Sequence, residues 1–175
     1  MTVFTIAKTL DQNATNLMHK WQHIDPKFPE DLFIRIIINR VNSSENGKWT
    51  IQAFFNSLYI GGINNLIECF PELGLTEEDC TEMNWIKSVL YFAGFSTDES
   101  LDVLLDRTPL TKLYFKAKSD YVKEPILVFG LEGIWRMFNE DKGLKMILSS
   151  CGGKMDEIEE IVIPFPHIKE NLYKI

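Results

Sequence analysis

The chain has 175 residues, enough for one substantial core and too few for two comfortable domains. Its composition, 45% hydrophobic and 25% charged, is that of an ordinary globular domain, and a net charge of -7 argues against a nucleic-acid partner. The basic residues are scattered, no apolar run approaches the roughly 18 residues of a membrane span, and MTVFTIAKTL lacks the basic leader and unbroken apolar core of a signal peptide.

TVFTIAKT (2–9) is rich in β formers and predicts a first strand. From Asp11 to His23 the residues Ala14, Leu17, Met18 and Trp21 recur at helical spacing, with Asp11 as the cap. IDPKFPED, punctuated by Pro26 and Pro29, reads as a loop. LFIRIIINRV is a strand, Asn46-Gly47 a hairpin signal, and TIQAFFNSLYI the returning strand. One side of the first of these, Ile34, Ile36 and Ile38, is wholly apolar. The other, Phe33, Arg35, Ile37 and Asn39, is mixed, and a mixed face meets either solvent or a ligand.

Gly61 and Gly62 open a helix over INNLIECF. A second helix is predicted over CTEMNWIKSVLYFAG (80–94), stacking Met83, Ile86 and Leu90, with a Thr76–Asp79 capping box ahead of it. DESLDVLLDR gives a short helix. TKLYFKAKSDY (111–121) alternates Leu113, Phe115 and Ala117 with Lys112, Tyr114, Lys116 and Lys118, the pattern of a half-covered strand. Pro125 starts a helix through ILVFGLEGIWRMFNE, and GLKMILSS is a further strand. This order predicts an α+β fold over residues 1–175, a largely antiparallel sheet with helices packed on one face.

The chemistry-bearing residues form no familiar constellation. His19 and His23 stand four apart on a helix, but the zincin glutamate is missing and no third ligand is in view, so they read as surface histidines and no metal is expected. Cys69, Cys80 and Cys151 make no CxxC pair and read as mostly buried thiols. Asn13 and Asn42 begin glycosylation sequons. The acidic run at 156–160 reads as a solvated turn or helix face. Gly152-Gly153, directly after a strand, is either a tight turn or a close backbone approach to a ligand.

Eight segments, including DLFIRIIIN, FPELGLTEEDCTEMNWIKSVLYFAG, FKAKSDYVKEPI, GGKMDEI and IPFPHIKENLYKI, resemble the berberine bridge enzyme-like family of plant flavoprotein oxidases, in the same order and at similar spacing. The resemblance spans the whole chain and implies the substrate-binding domain of such a protein, without its N-terminal FAD-binding domain or its C-terminal segment. It implies FAD as the cofactor, a small-molecule substrate such as a carbohydrate or phenylpropanoid alcohol, hydride transfer to flavin, molecular oxygen as oxidant, and an extracellular, cell-wall or secretory-pathway location. No cofactor-binding residue is expected in this chain and no catalytic residue is assigned. The expected substrate-facing residues are Ser149, Cys151, Arg35, Ile37 and Lys174. Ser149 occupies a position where the family has glutamate, tyrosine or asparagine, and Ser150-Cys151 replaces its usual Pro-Tyr. Ile37 stands where some relatives have histidine, Lys174 at a pocket position, and Ile168 where the family has arginine after PFPH. These departures admit an alternative, a truncated inactive fragment or a stand-alone binding module.

Overall fold

The computed structural model describes residues 1–42, 49–61, 67–108, 114–151, 157–159, 161–162 and 173–175. Seven strands among them form one sheet: β1 (Thr2–Thr9), β2 (Leu32–Asn42), β3 (Trp49–Tyr59), β4 (Cys80–Glu82), β5 (Tyr121–Val122), β6 (Lys145–Ser150) and β7 (Tyr173–Lys174). Their order is β4-β1-β3-β2-β6-β7-β5, and every pairing is antiparallel. The expected α+β architecture is the observed one. Three α-helices whose whole length is described accompany the sheet: α1 (Ala14–Ile24), α2 (Trp85–Ala93) and α3 (Val128–Glu140).

Alternation along the long strands builds the core. Phe4 and Ile6 of β1, Ile51, Ala53 and Phe55 of β3, Ile34, Ile36 and Ile38 of β2, and Leu148 of β6 share one side and are buried. Against that side pack Leu17, Met18 and Trp21 of α1 and Leu131, Trp135 and Phe138 of α3. Three polar clamps hold the two helices in place. Gln22 donates from Nε2 to the Ile126 carbonyl (3.1 Å) and accepts from the Ile126 amide (2.7 Å). Trp135 Nε1 donates to Thr15 Oγ1 (2.9 Å), and Arg40 donates to the Phe138 and Asn139 carbonyls at the end of α3. Each satisfies groups that would be costly to bury alone. Gly61 is required where it stands, because an added Cβ would overlap the Tyr59 ring folded over it.

Five expectations need correction. α1 is not capped by Asp11: Thr9 and Gln12 form a capping box on a short 3-10 turn (Leu10–Gln12), and Asn13, at φ 67°, leads into the helix. Residues 80–82 are not helical, because Cys80–Glu82 pairs with Thr2–Phe4 at the edge of β1. α2 begins only after Asn84, whose side chain accepts from the Lys87 amide, and the Thr76–Asp79 box caps a 3-10 turn (Glu77–Asp79) instead. Residues 114–120 form no strand; Tyr114 is 100% exposed and Phe115 84%, so no packing partner rewards their alternation. The three thiols are half-buried rather than buried. Residues 67–69 are helical as expected. The Asn46-Gly47 turn, most of the helix after Gly61, Gly152-Gly153, Asp156, Glu160 and Ile168 lie outside the described residues, whereas residues 157–159 of the acidic run are exposed.

Candidate functional site

The strand register places the odd residues of β1, β2 and β6 and the even residues of β3 on the side of the sheet away from α1 and α3. Arg35 and Ile37 of β2 are both there, as is Ser149 of β6. Lys174 pairs directly with Ser149, so β7 adds it to the same side, and Tyr121 pairs with Lys174 in turn. Cys151, half-buried, follows β6 at the end of this face. The fold thus brings together residues as far apart as 35 and 174.

A transverse row of polar side chains results, one from each of six adjacent strands: Thr5, Asn56, Arg35, Ser149, Lys174 and Tyr121. Hydrogen bonds join much of it. Arg35 Nε donates to Ser149 Oγ (3.2 Å), and Thr5 Oγ1 donates to Asn56 Oδ1 (2.8 Å). With its proton so used, Thr5 accepts from the Tyr91 hydroxyl (2.6 Å). Tyr91 sits on α2, so that helix flanks the open side rather than joining the other two. The cations rest against rings, Arg35 5.5 Å from the Phe33 centroid and Lys174 5.8 Å from that of Tyr121. Beside the polar row, Ala7, Phe54, Ile37 and Ile147 align as an apolar one.

The charge of this face departs from that of the chain. Its described strand residues include Arg35, Lys145 and Lys174 but no Asp, Glu or His, within a chain of net charge -7. Such a surface can hold and orient an oxygen-bearing ligand through hydroxyl, amide and cationic donors. Its described strand residues contribute no carboxylate or imidazole as a general base. Cys69 and Cys80 do not fill that gap: burial first, and neighbouring acids second, push both upward, away from thiolate character. His19 and His23 pack edge to face, 4.8 Å between centroids, and no group of three metal-ligating side chains occurs among the described residues.

One titratable group of this region escaped the sequence reading. Asp25, in the 3-10 turn Asp25–Lys27 after α1, is only 8% exposed. Ser150 alternates with Ser149 and so points to the packed side. Burial raises the Asp25 carboxyl to about 7, against a smaller lowering by Ser150. An Asp-Pro pair in a proline-punctuated stretch signals a turn, and nothing local marks it as buried. Thr5, Asn56 and Tyr121 were also missed; once the register is known, alternation along each strand finds them.

Fold and face together define an α+β domain on an antiparallel sheet, packed by α1 and α3 on one side and, beyond α2 at the β1 edge, open, polar and aromatic on the other. No family model matches the chain. Individual relatives match it over its full length. It is 46% identical over 180 residues to the monolignol oxidoreductase AtBBE-like 13 of Arabidopsis thaliana, covering 100% of this chain and 34% of that protein. It is 48% identical over 183 residues to a tetrahydroberberine oxidase of Berberis wilsoniae, with the same coverage. Among solved structures, berberine bridge enzyme-like 28 of Arabidopsis thaliana superposes with a TM-score of 0.88 at 46% identity, over 99% of this chain and 35% of the other. Phl p 4, a grass pollen allergen with glucose dehydrogenase activity, superposes at 0.85 and 32% identity. The chain belongs to the berberine bridge enzyme-like family, and it spans about a third of the length of the relatives it matches.

Proposed function

We propose that the open face of this sheet is the substrate-facing wall of an FAD-linked oxidoreductase acting on a small alcohol, either a carbohydrate or a phenylpropanoid. The observation that carries the reading is the convergence of Arg35, Ile37, Ser149 and Lys174 on one face, in a chain 46% identical throughout to a monolignol oxidoreductase. The described residues hold no fit site for FAD itself. The strand cations of the open face are Arg35, engaged with Ser149 and Phe33, Lys174 over Tyr121, and Lys145 at the far end of β6. They form no phosphate cradle. FAD is therefore assigned to a companion domain, where it would accept a hydride from the substrate, with molecular oxygen as the final acceptor. On the same reading the protein works in the secretory pathway or cell wall; no helix of the described residues is long and apolar enough to cross a membrane.

This chain's own contribution is orientation. Ser149 accepts from Arg35, which leaves its hydroxyl proton to donate to a substrate oxygen. Lys174, directly opposite, supplies a second donor from the next strand. Ile37 and Phe54 provide the apolar ground on which a ring or carbon chain rests.

A second reading has its own support. The open face lacks a carboxylate or imidazole among its described strand residues, and a face without a base suits a domain that binds without turnover. Substituting this chain for the matching third of Arabidopsis berberine bridge enzyme-like 28 separates the two. The first reading predicts that the graft retains flavin and that anaerobic addition of a sugar or a monolignol-type alcohol bleaches it. A graft that holds flavin but is bleached by no alcohol of either class overturns that reading and leaves the binding module.

A further inference from the structure

Two cations meet at Ser149. Arg35 reaches it from β2, and Lys174 pairs with it from β7. With strands about 4.8 Å apart, the two Cα atoms stand roughly 10 Å from each other, with the serine between them. Neither cation has a carboxylate partner; the ion pair among the described residues joins Lys20 and Glu72 elsewhere. The chain carries 25 acidic residues against 18 basic ones, yet the described strand residues of this face include none of the acids. We propose that Arg35, Ser149 and Lys174 form a carboxylate site, and that the ligand of this face is an alcohol that also carries a carboxylate. The site deepens the reading under Proposed function, and rests on it only for the claim that this ligand is a substrate.

The donors here call for a group that only accepts. Nε of Arg35 is committed to Ser149 (3.2 Å), which leaves the outer edge of the guanidinium, its two Nη groups, without a partner among the described residues. That edge is a planar fork matched to the two oxygens of a carboxylate. Ser149, accepting from Arg35, keeps its own proton to give. Lys174 adds an ammonium, which donates and cannot accept. A ligand hydroxyl would bring a further proton to a place already full of donors. A carboxylate brings none, and has room for about four hydrogen bonds. Phosphate is served less well, because the backbone amides that commonly cradle it are committed here to strand pairing along β2, β6 and β7.

The present resting places of the two cations are easily exchanged. Lys174 lies 5.8 Å from the Tyr121 centroid and Arg35 5.5 Å from that of Phe33. Such contacts hold a surface cation more weakly than a hydrogen bond between charged groups does. Lys174 is exposed, so swinging toward Ser149 gives up only its ring contact. From the anchored carboxylate the rest of the ligand extends across β3 and β1, where Asn56 and Thr5 continue the polar row and Phe54 and Ile37 lie beside it.

Titration of the full chain, followed by NMR at the Arg35 Nε–H and the Ser149 amide, tests the site without any flavin. The probes are two matched pairs, D-glucuronate with D-glucose and p-coumarate with p-coumaryl alcohol, together with inorganic phosphate. At least one acid should bind at least about tenfold more tightly than its neutral partner, the worth of one charge-assisted hydrogen bond, and added salt should weaken it. Which acid binds tells a sugar acid from an aromatic one. Arg35→Gln and Lys174→Gln should each remove most of that preference, whereas Lys27→Gln, which deletes the same charge on the turn after α1, should keep it. Lys174→Gln changes only an exposed side chain, so the comparison survives even where Arg35→Gln disturbs the fold. Acids that bind no better than their neutral partners, or not at all, overturn the proposal. So does a preference that Lys27→Gln lowers as much as Lys174→Gln, or phosphate binding as tight as that of the acids. Selective acid binding in a chain whose graft shows no flavin reduction by any alcohol keeps the site and rejects the reading under Proposed function. Flavin reduction by neutral alcohols, with no preference for acids, keeps that reading and rejects the site.

Discussion

Replacing Asp25 by Asn keeps the size of the side chain and removes its charge. The structure sets the size and sign of the effect. The folded carboxyl titrates at about 7 against an ordinary 3.8, so between those values the folded chain holds a proton that the unfolded chain has released. A group raised in this way contributes its full stabilisation below 3.8 and loses it as pH rises through about 7. The whole interval corresponds to about 4 kcal/mol, at about 1.4 kcal/mol per pH unit. Most of it falls close to the isoelectric point of about 5.0, where solubility is poorest. Between about pH 6 and about pH 8.5 the wild type should still lose about 1.4 kcal/mol that the Asn variant does not. Urea unfolding of both proteins at the two pH values measures this, and every group the two proteins share cancels in the difference. Equal pH dependence in the two proteins would show that Asp25 is solvated, and the reasoning from its burial would be wrong.

Three further outcomes follow from the packing. Gln22→Leu leaves both the amide and the carbonyl of Ile126 without their side-chain partner, and should cost about 2–4 kcal/mol by urea unfolding. Ile36→Ala, at a fully buried site in the middle of β2, should cost about 2–5 kcal/mol. Asn84→Ala removes the cap of α2, whose Trp85 is 62% exposed. It should cost only about 1 kcal/mol globally, with faster amide exchange confined to the first turn of that helix.

How far the sequence reached depended on whether a signal was local. Burial alternates along β2 as its isoleucines require, and the apolar spacing of α1 named the residues that enter the core. Where two patterns compete, the one with a packing partner prevails. Helical periodicity over residues 80–94 concealed an edge strand, although Asn84 in a capping position was a usable stop sign. Alternation over residues 114–120 suggested a strand, yet alternation stabilises only when one face is covered, and Tyr114 and Phe115 are not. The candidate site was legible as separate residues and not as a site. Arg35 and Ser149 are 114 residues apart, and only the order β2-β6-β7 makes neighbours of Arg35, Ser149 and Lys174. Asp25 shows the limit most clearly, because burial of a turn aspartate is decided by what packs over it.

The central claim is that the open face, and no other surface, receives the substrate. The direct measurement is anaerobic flavin reduction in the Arabidopsis berberine bridge enzyme-like 28 graft, with the double substitution Arg35→Leu and Lys174→Leu compared against Lys27→Ala on the turn after α1. Removing both open-face donors should lower the second-order rate of reduction at least tenfold, about 1.4 kcal/mol or more, with flavin content unchanged. Lys27→Ala should leave the rate as it was. Undiminished reduction in the double variant, with flavin fully retained, would contradict the account.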